Sequence, residues 1–222
     1  MGRDNHPRFR RIEQVRRRRG RRNALDRILI VCEGEKTEPN YFEEIRQGLR
    51  LPSANIRVYH EHTNPLRMVE DAEQVFINGA HQIQKRSFEQ ICIVFDRDDH
   101  DHYIQALQKT DALNNKKYKN DSKSTVNFTS YPSVPCFELW LLLHFEEILA
   151  PLQRQVVYQR LRQHIPNYNK GDNDLYARTN HLLSEAHERA KTLARQRNGY
   201  DEHGPYTGIS ELVIRLQRLG GR

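Results

Sequence analysis

Long apolar runs are missing from this sequence of 222 residues. No stretch approaches the roughly 18–20 consecutive apolar residues that a membrane-spanning helix needs, and no apolar core stands behind the N-terminal arginines. Neither a membrane anchor nor a secretion signal is therefore expected, and the cytoplasm is the expected location. Cysteine is scarce too. Cys32, Cys92 and Cys136 are odd in number, far apart and each inside an apolar run, which argues against a disulfide framework or a zinc site and for small buried hydrophobes. Hydrophobic residues make up 36% of the chain, enough for one core with little surplus. The length suits one ordinary domain or a domain with a modest appendage, and excludes a large multidomain machine acting alone.

Positive charge is abundant but localised. Residues 1–27 hold eleven arginines against Asp4, Glu13 and Asp26, a net +8 that exceeds the +7 of the whole chain. The folded body is therefore close to neutral, and the basic character belongs to an arm. Within residues 1–23 there is no sustained apolar stripe, so disorder, or a helix that orders on a polyanion, is expected. Arg16, Arg17, Arg18, Arg19, Arg21 and Arg22 are the candidate nucleic-acid contacts, because guanidinium groups bind phosphate bidentately and each contact releases counterions. A solubilising tail and a contact with an acidic protein are the alternatives.

Beyond the arm, strands and helices alternate. Arg27–Cys32 and Gln90–Phe95 read as buried parallel strands, Asn55–His60 and Thr125–Thr129 as weaker ones. Helical spacing runs from Glu38 to Leu49, from Pro65 to Lys85 and from His102 to Leu113. This predicts an α/β fold: a parallel sheet flanked by helices, over residues 24–150. Residues 151–222 read as a helical C-terminal extension packed on that core, with helices near Gln153–His164, Asp172–Gln196 and Gly208–Leu219. Trp140 and the leucines beside it read as core.

Acidic residues sit at the ends of the two firmest strands: Glu33, Glu35 and Glu38 after the first, Asp96, Asp98 and Asp99 after the later one. In a parallel sheet both sets emerge at the same edge, where their mutual repulsion would be offset by a hard divalent cation, Mg²⁺ or Mn²⁺. Two such ions serve phosphodiester cleavage by stabilising the attacking and leaving oxygens. Helix capping or simple solvation of these acids is the bland alternative. Glu138, a carboxylate in an apolar helix start, completes the metal shell, pairs with His144 or acts as a first-turn acid; the sequence leaves these open. Lys36, in the loop after the first strand, is placed to neutralise developing charge on phosphate, or is solvated.

The segments ILIVCEGEKTEPNYF, VFDRDDH and PSVPCFELWLLLHF, with YNKGD and GPYTGISELV further on, resemble the RloB family of prokaryotic proteins, whose core is related to the Toprim domain. The resemblance implies a Toprim-like sheet with Glu33 as the first-strand acid, Asp96 and Asp98 as the DxD pair, and Glu38 as the acid at the helix entrance. It implies metal on Glu33, Glu38, Asp96 and Asp98, with Glu33, Asp96 and Asp98 as catalytic residues; Glu138 as a further metal candidate and Lys36 as a further catalytic one rest on the chemistry given above. It also implies a Mg²⁺-dependent nuclease in prokaryotic anti-phage defence, with an ATPase as a partner. RNA, such as tRNA, is slightly favoured over DNA because no groove-reading helix is evident. The alternatives are a non-catalytic nucleic-acid-binding sensor and a regulatory subunit of a defence ATPase. The oligomeric state is left open.

The charge asymmetry gives a first prediction. Deleting residues 1–22 weakens nucleic-acid binding and flattens its salt dependence while leaving the melting temperature nearly unchanged. Equal affinity and an equal salt slope in the truncated protein would assign the arm another role.

Overall fold

The computed structural model describes residues 26–52, 56–60, 64–97, 102–196 and 204–221. The six arm arginines and Asp98 lie outside the described residues. Five strands form one sheet in the order β2-β1-β3-β4-β5. They are β1 (Ile28–Cys32), β2 (Ile56–His60), β3 (Gln90–Asp96), β4 (Asn127–Val134) and the short β5 (Tyr206–Thr207). The first four are parallel, and β5 adds an antiparallel edge against Ser133 and Val134. The expected α/β fold is thus present. The C-terminal extension, however, is not purely helical: it donates β5 to the sheet.

Helix α1 (Thr37–Gly48) links β1 to β2, α2 (Pro65–Asn78) links β2 to β3, and α3 (Tyr103–Asn115) links β3 to β4. After β2 the chain passes over β1 to begin β3 on its other side, so the strand order reverses direction between β1 and β3. Such a switch point opens a crevice outside the carboxyl ends of its two strands. Every residue of β1 is buried, as expected for a parallel strand covered on both faces. Alternation sorts the side chains: Leu29, Val31, Ile91, Ile93 and Phe95 pack with α2 and α3, whereas Ile28, Ile30, Cys32, Cys92 and Val94 face α1 and the C-terminal helices. All three cysteines are buried free thiols.

Those later helices are α4 (Glu138–Leu142), α5 (Arg154–His164), α6 (Leu175–Thr179), α7 (Leu183–Gln196) and α8 (Ile209–Leu219). Val157, Leu161, Leu175, Ala186, Leu212 and Leu216 join Tyr41, Phe42, Ile45 and Trp140 in one apolar cluster. The Trp140 indole N–H donates to the Tyr41 hydroxyl at 2.7 Å, tying α4 to α1 inside it. The extension and the sheet therefore share a core.

Three elements differ from the sequence expectation for local reasons. Helix α2 stops at Asn78 rather than Lys85, because Gly79 takes φ 79° and the chain turns back to bridge Ala80 with Ile83. The helix expected over Asp172–Gln196 is broken by a 3₁₀ turn at Asn180–Leu182. There the Thr179 hydroxyl donates back to the Leu175 carbonyl at 2.7 Å, and the Asn180 side chain bonds the Ala177 carbonyl, local bonds that compete with helix continuation. Strand β4 runs on to Val134 through Pro132.

Since the core is shared, truncating Leu161, which is fully buried in α5, should destabilise sheet and extension together. Leu161→Ala is expected to cost about 2–5 kcal/mol and to lower one transition seen alike by far-ultraviolet circular dichroism and by Trp140 fluorescence. Separate transitions for the two probes would show that the extension folds independently.

Candidate functional site

Glu33 is the first residue after β1, and its N–H continues the parallel ladder to the Val94 carbonyl at 3.2 Å. Its side chain turns toward the neighbouring strand end, where Oε2 accepts the Asp96 N–H at 3.0 Å. The acids from the two strand ends are thereby brought together. The chain then bends through Glu35 and Lys36, both exposed, into α1. Glu38 lies in the first turn of that helix, where acids are favoured by the unpaired N–H groups. It folds back under the bend: a Cβ on Gly34 would stand 2.2 Å from Glu38 Oε2, so any larger residue there would displace the carboxylate.

Glu38 is 4% exposed and Asp96 5%. Burial, reinforced by the carboxylates of Glu138 and Glu33, pushes the Glu38 carboxyl up to about 7, against its own helix-start N–H and the Lys170 ammonium. Asp96 is raised well above the usual carboxylate range by burial and then by Glu38, Glu138 and Glu33, with Arg154 opposing. Arg154, at the start of α5, donates from Nη2 to Asp96 Oδ2 at 2.7 Å. Glu138 opens α4 and is 1% exposed; its Oε1 accepts the Tyr168 hydroxyl at 2.9 Å. The pairing weighed above between Glu138 and His144 is not what forms. His144 Nδ1, in the turn after α4, instead lies 3.0 Å from the Trp140 carbonyl.

Glu33, Lys36, Glu38 and Asp96 line one cavity of about 380 Å³ together with Gly34, Glu35, Thr37, Arg154 and Lys170. Glu138 sits beyond its wall, close enough to raise the proton affinity of both Glu38 and Asp96. Among the described residues no three acid, histidine or cysteine side chains are grouped as a metal-holding set; Arg154 engages Asp96, and Glu33 accepts the Asp96 N–H. The donors themselves are all oxygen, which suits a hard cation. Glu38 Oε2 is buried with no hydrogen-bond partner, within the electrostatic reach of Glu33 and Glu138, a feature a cation would relieve.

Arg154 carried no motif in the sequence and was missed. Tyr168, in a polar, turn-like stretch, is nevertheless 1% exposed and donates its hydroxyl to Glu138. The segment that carries Tyr168 and Lys170 is stapled to α1. The Gly171 N–H donates to Thr37 Oγ1 at 2.8 Å, Asn40 Nδ2 to the Gly171 carbonyl at 3.3 Å and to Asn173 Oδ1 at 2.9 Å, and the N–H groups of Asp174 and Tyr176 to the Glu44 carboxylate.

The raised Glu38 carboxyl makes a signed prediction. Its folded pKa of about 7 exceeds the ordinary 4.5, so the folded state holds the proton more tightly and this contribution to stability fades as pH rises from about 5 to 7. His144, held down to about 4 by burial, and His187, also lowered, work in the opposite sense and cancel when two variants are compared. With a chelator present, Glu38→Gln should therefore gain up to about 3 kcal/mol on wild type between pH 5 and pH 8. Parallel stability curves would mean that Glu38 ionises like an exposed acid.

Among the described residues no helix is long and apolar enough to cross a membrane. No curated protein and no solved structure matches the chain. A family model for RloB-like proteins matches residues 28–216, from the first residue of β1 into α8. The match spans the sheet, the acidic crevice and the stapled segment alike, and the chain belongs to the RloB-like protein family.

Proposed function

We propose that this chain is a metal-dependent nuclease of Toprim type, acting in the cytoplasm in prokaryotic anti-phage defence. The observation that carries the reading is the buried, unpartnered Glu38 Oε2 beside Glu33 and Asp96 at the switch point of a parallel sheet. Acids collected at such cost need a function that repays it, and a divalent cation supplies one. Glu33, Glu38 and Asp96 would hold Mg²⁺ or Mn²⁺, joined by Asp98, which lies outside the described residues. Glu138, turned toward Tyr168, supports the site from beneath.

When bound, such a cation polarises phosphoryl oxygens and makes an attacking water more acidic. The chain's own residues do the rest. The carboxylates fix the register between strand end and substrate, and the Lys36 ammonium, exposed at the cavity rim, neutralises charge that builds on the phosphate. The arginine arm, outside the described residues, would hold the polynucleotide, RNA such as tRNA being favoured slightly over DNA. A defence ATPase is the partner this reading favours.

The Arg154–Asp96 ion pair favours a second reading, a non-catalytic nucleic-acid-binding sensor or regulatory subunit, because an internal cation already offsets part of the acidic charge. Purified protein incubated with Mg²⁺ or Mn²⁺ and labelled RNA or DNA separates the two. Cleavage is expected in wild type and should fall by at least about a thousandfold in Asp96→Asn, with nucleic-acid binding retained. Inert wild-type protein, in the presence and absence of a co-expressed ATPase, would favour the sensor, and an Asp96→Asn protein that cuts like wild type would remove the acids from the chemistry.

A further inference from the structure

We infer that the C-terminal extension supplies a phosphate-binding subsite to the acidic cavity, made by Arg154 and Lys170 together with Lys36, whose side chain packs beside Gly171. The inference deepens the nuclease reading and rests on it for the cation that the acids hold.

The cavity has two chemically distinct walls. Glu33, Glu38 and Asp96 come from the sheet edge and α1, whereas Arg154 comes from the start of α5 and Lys170 from the stapled segment. The Lys170 ammonium lies near enough to lower the proton affinity of Glu38. Arg154 donates from Nη2 to Asp96 Oδ2 at 2.7 Å, with its side chain still 30% exposed. A guanidinium needed only to neutralise a buried carboxylate could be covered over. This one lines the cavity while partly exposed, and a guanidinium is the group best suited to tetrahedral oxyanions.

The stapling argues against chance placement. Lys170 sits between Tyr168, anchored to Glu138, and Gly171, anchored to Thr37. Its backbone is therefore fixed from both sides while its side chain is exposed at the rim. Fixing the backbone of a lysine lowers the entropy lost when its ammonium engages a ligand.

Charge decides the ligand. Alone, the acids would repel a phosphate, and the three cations alone would leave the buried Glu38 oxygen unserved. A divalent cation with a phosphate would satisfy both walls: the acids would hold the metal, and Arg154, Lys170 and Lys36 would contact the phosphate. Binding of the two must then be coupled, each raising the affinity for the other by the same factor.

Calorimetry with inorganic phosphate as the probe tests this on the full chain, with and without Mg²⁺. Wild type should bind phosphate with Mg²⁺ present and at least tenfold more weakly with chelator. With Mg²⁺, Arg154→Gln and Lys170→Gln should each weaken phosphate binding roughly tenfold or more, the magnitude of a charge-assisted hydrogen bond, and Arg154→Lys should fall between wild type and Arg154→Gln. Lys170→Gln changes only an exposed side chain and Arg154→Lys retains the countercharge on Asp96, so these two carry the test if Arg154→Gln fails to fold. Wild-type protein that binds no phosphate with Mg²⁺, or variants that bind within twofold of wild type, would overturn the subsite. Cleavage by wild type alongside unaffected phosphate binding in the variants would sink the subsite and leave the nuclease standing. Lost phosphate binding in the variants of a wild type that never cleaves would do the reverse.

Discussion

Burying carboxylates at the mouth of a parallel sheet is the constraint around which this protein is arranged. Glu38 and Asp96 are almost wholly removed from water, with Glu33 and Glu138 beside them. Taking ionised carboxylates out of water without full compensation costs several kcal/mol each, and the compensation visible here is partial: a backbone N–H on Glu33, a guanidinium on Asp96, a phenol on Glu138. A fold that served stability alone would have apolar residues there. The cluster is held because two strands and a helix start converge at the switch point, and the absent side chain at position 34 leaves room for the Glu38 carboxylate.

The C-terminal extension closes this arrangement. Its helices bury their apolar faces on the same side of the sheet as α1, so the loop carrying Tyr168 and Lys170 and the start of α5 carrying Arg154 are set in position by core packing. Polar staples between Thr37, Asn40 and Glu44 of α1 and residues 171–176 then fix the details. An acid wall from the first half of the chain thus meets a basic wall from the second. Neither half holds the whole site.

Much of this was legible in the sequence where local chemistry decides it. The β-branched runs at Ile28–Cys32 and Gln90–Phe95 announced buried parallel strands, and the acids that follow each were bound to emerge at one edge. Glu38 followed from its place in a helix entrance. What stayed hidden depends on contacts remote in sequence. Arg154 reaches Asp96 across 58 positions, and the Tyr168 hydroxyl meets Glu138 across 30; a tyrosine in a polar, turn-like stretch reads as surface until the fold places Glu138 under it. Pairing Glu138 with His144 was one option the sequence left open, yet the imidazole Nδ1 lies against the Trp140 carbonyl instead. The break at Thr179 and Asn180 was equally invisible to periodicity, because the apolar spacing continues straight through it.

The central claim is that these carboxylates exist to hold a divalent cation, and diffraction from crystals soaked in Mn²⁺, read by the anomalous scattering of the metal, tests it most directly. The account predicts a peak within about 2.5 Å of oxygens from at least two of Glu33, Glu38 and Asp96, with the Arg154 guanidinium moved off Asp96 Oδ2. A fully soaked crystal with no anomalous peak in this cavity, and Arg154 still on Asp96, would contradict it.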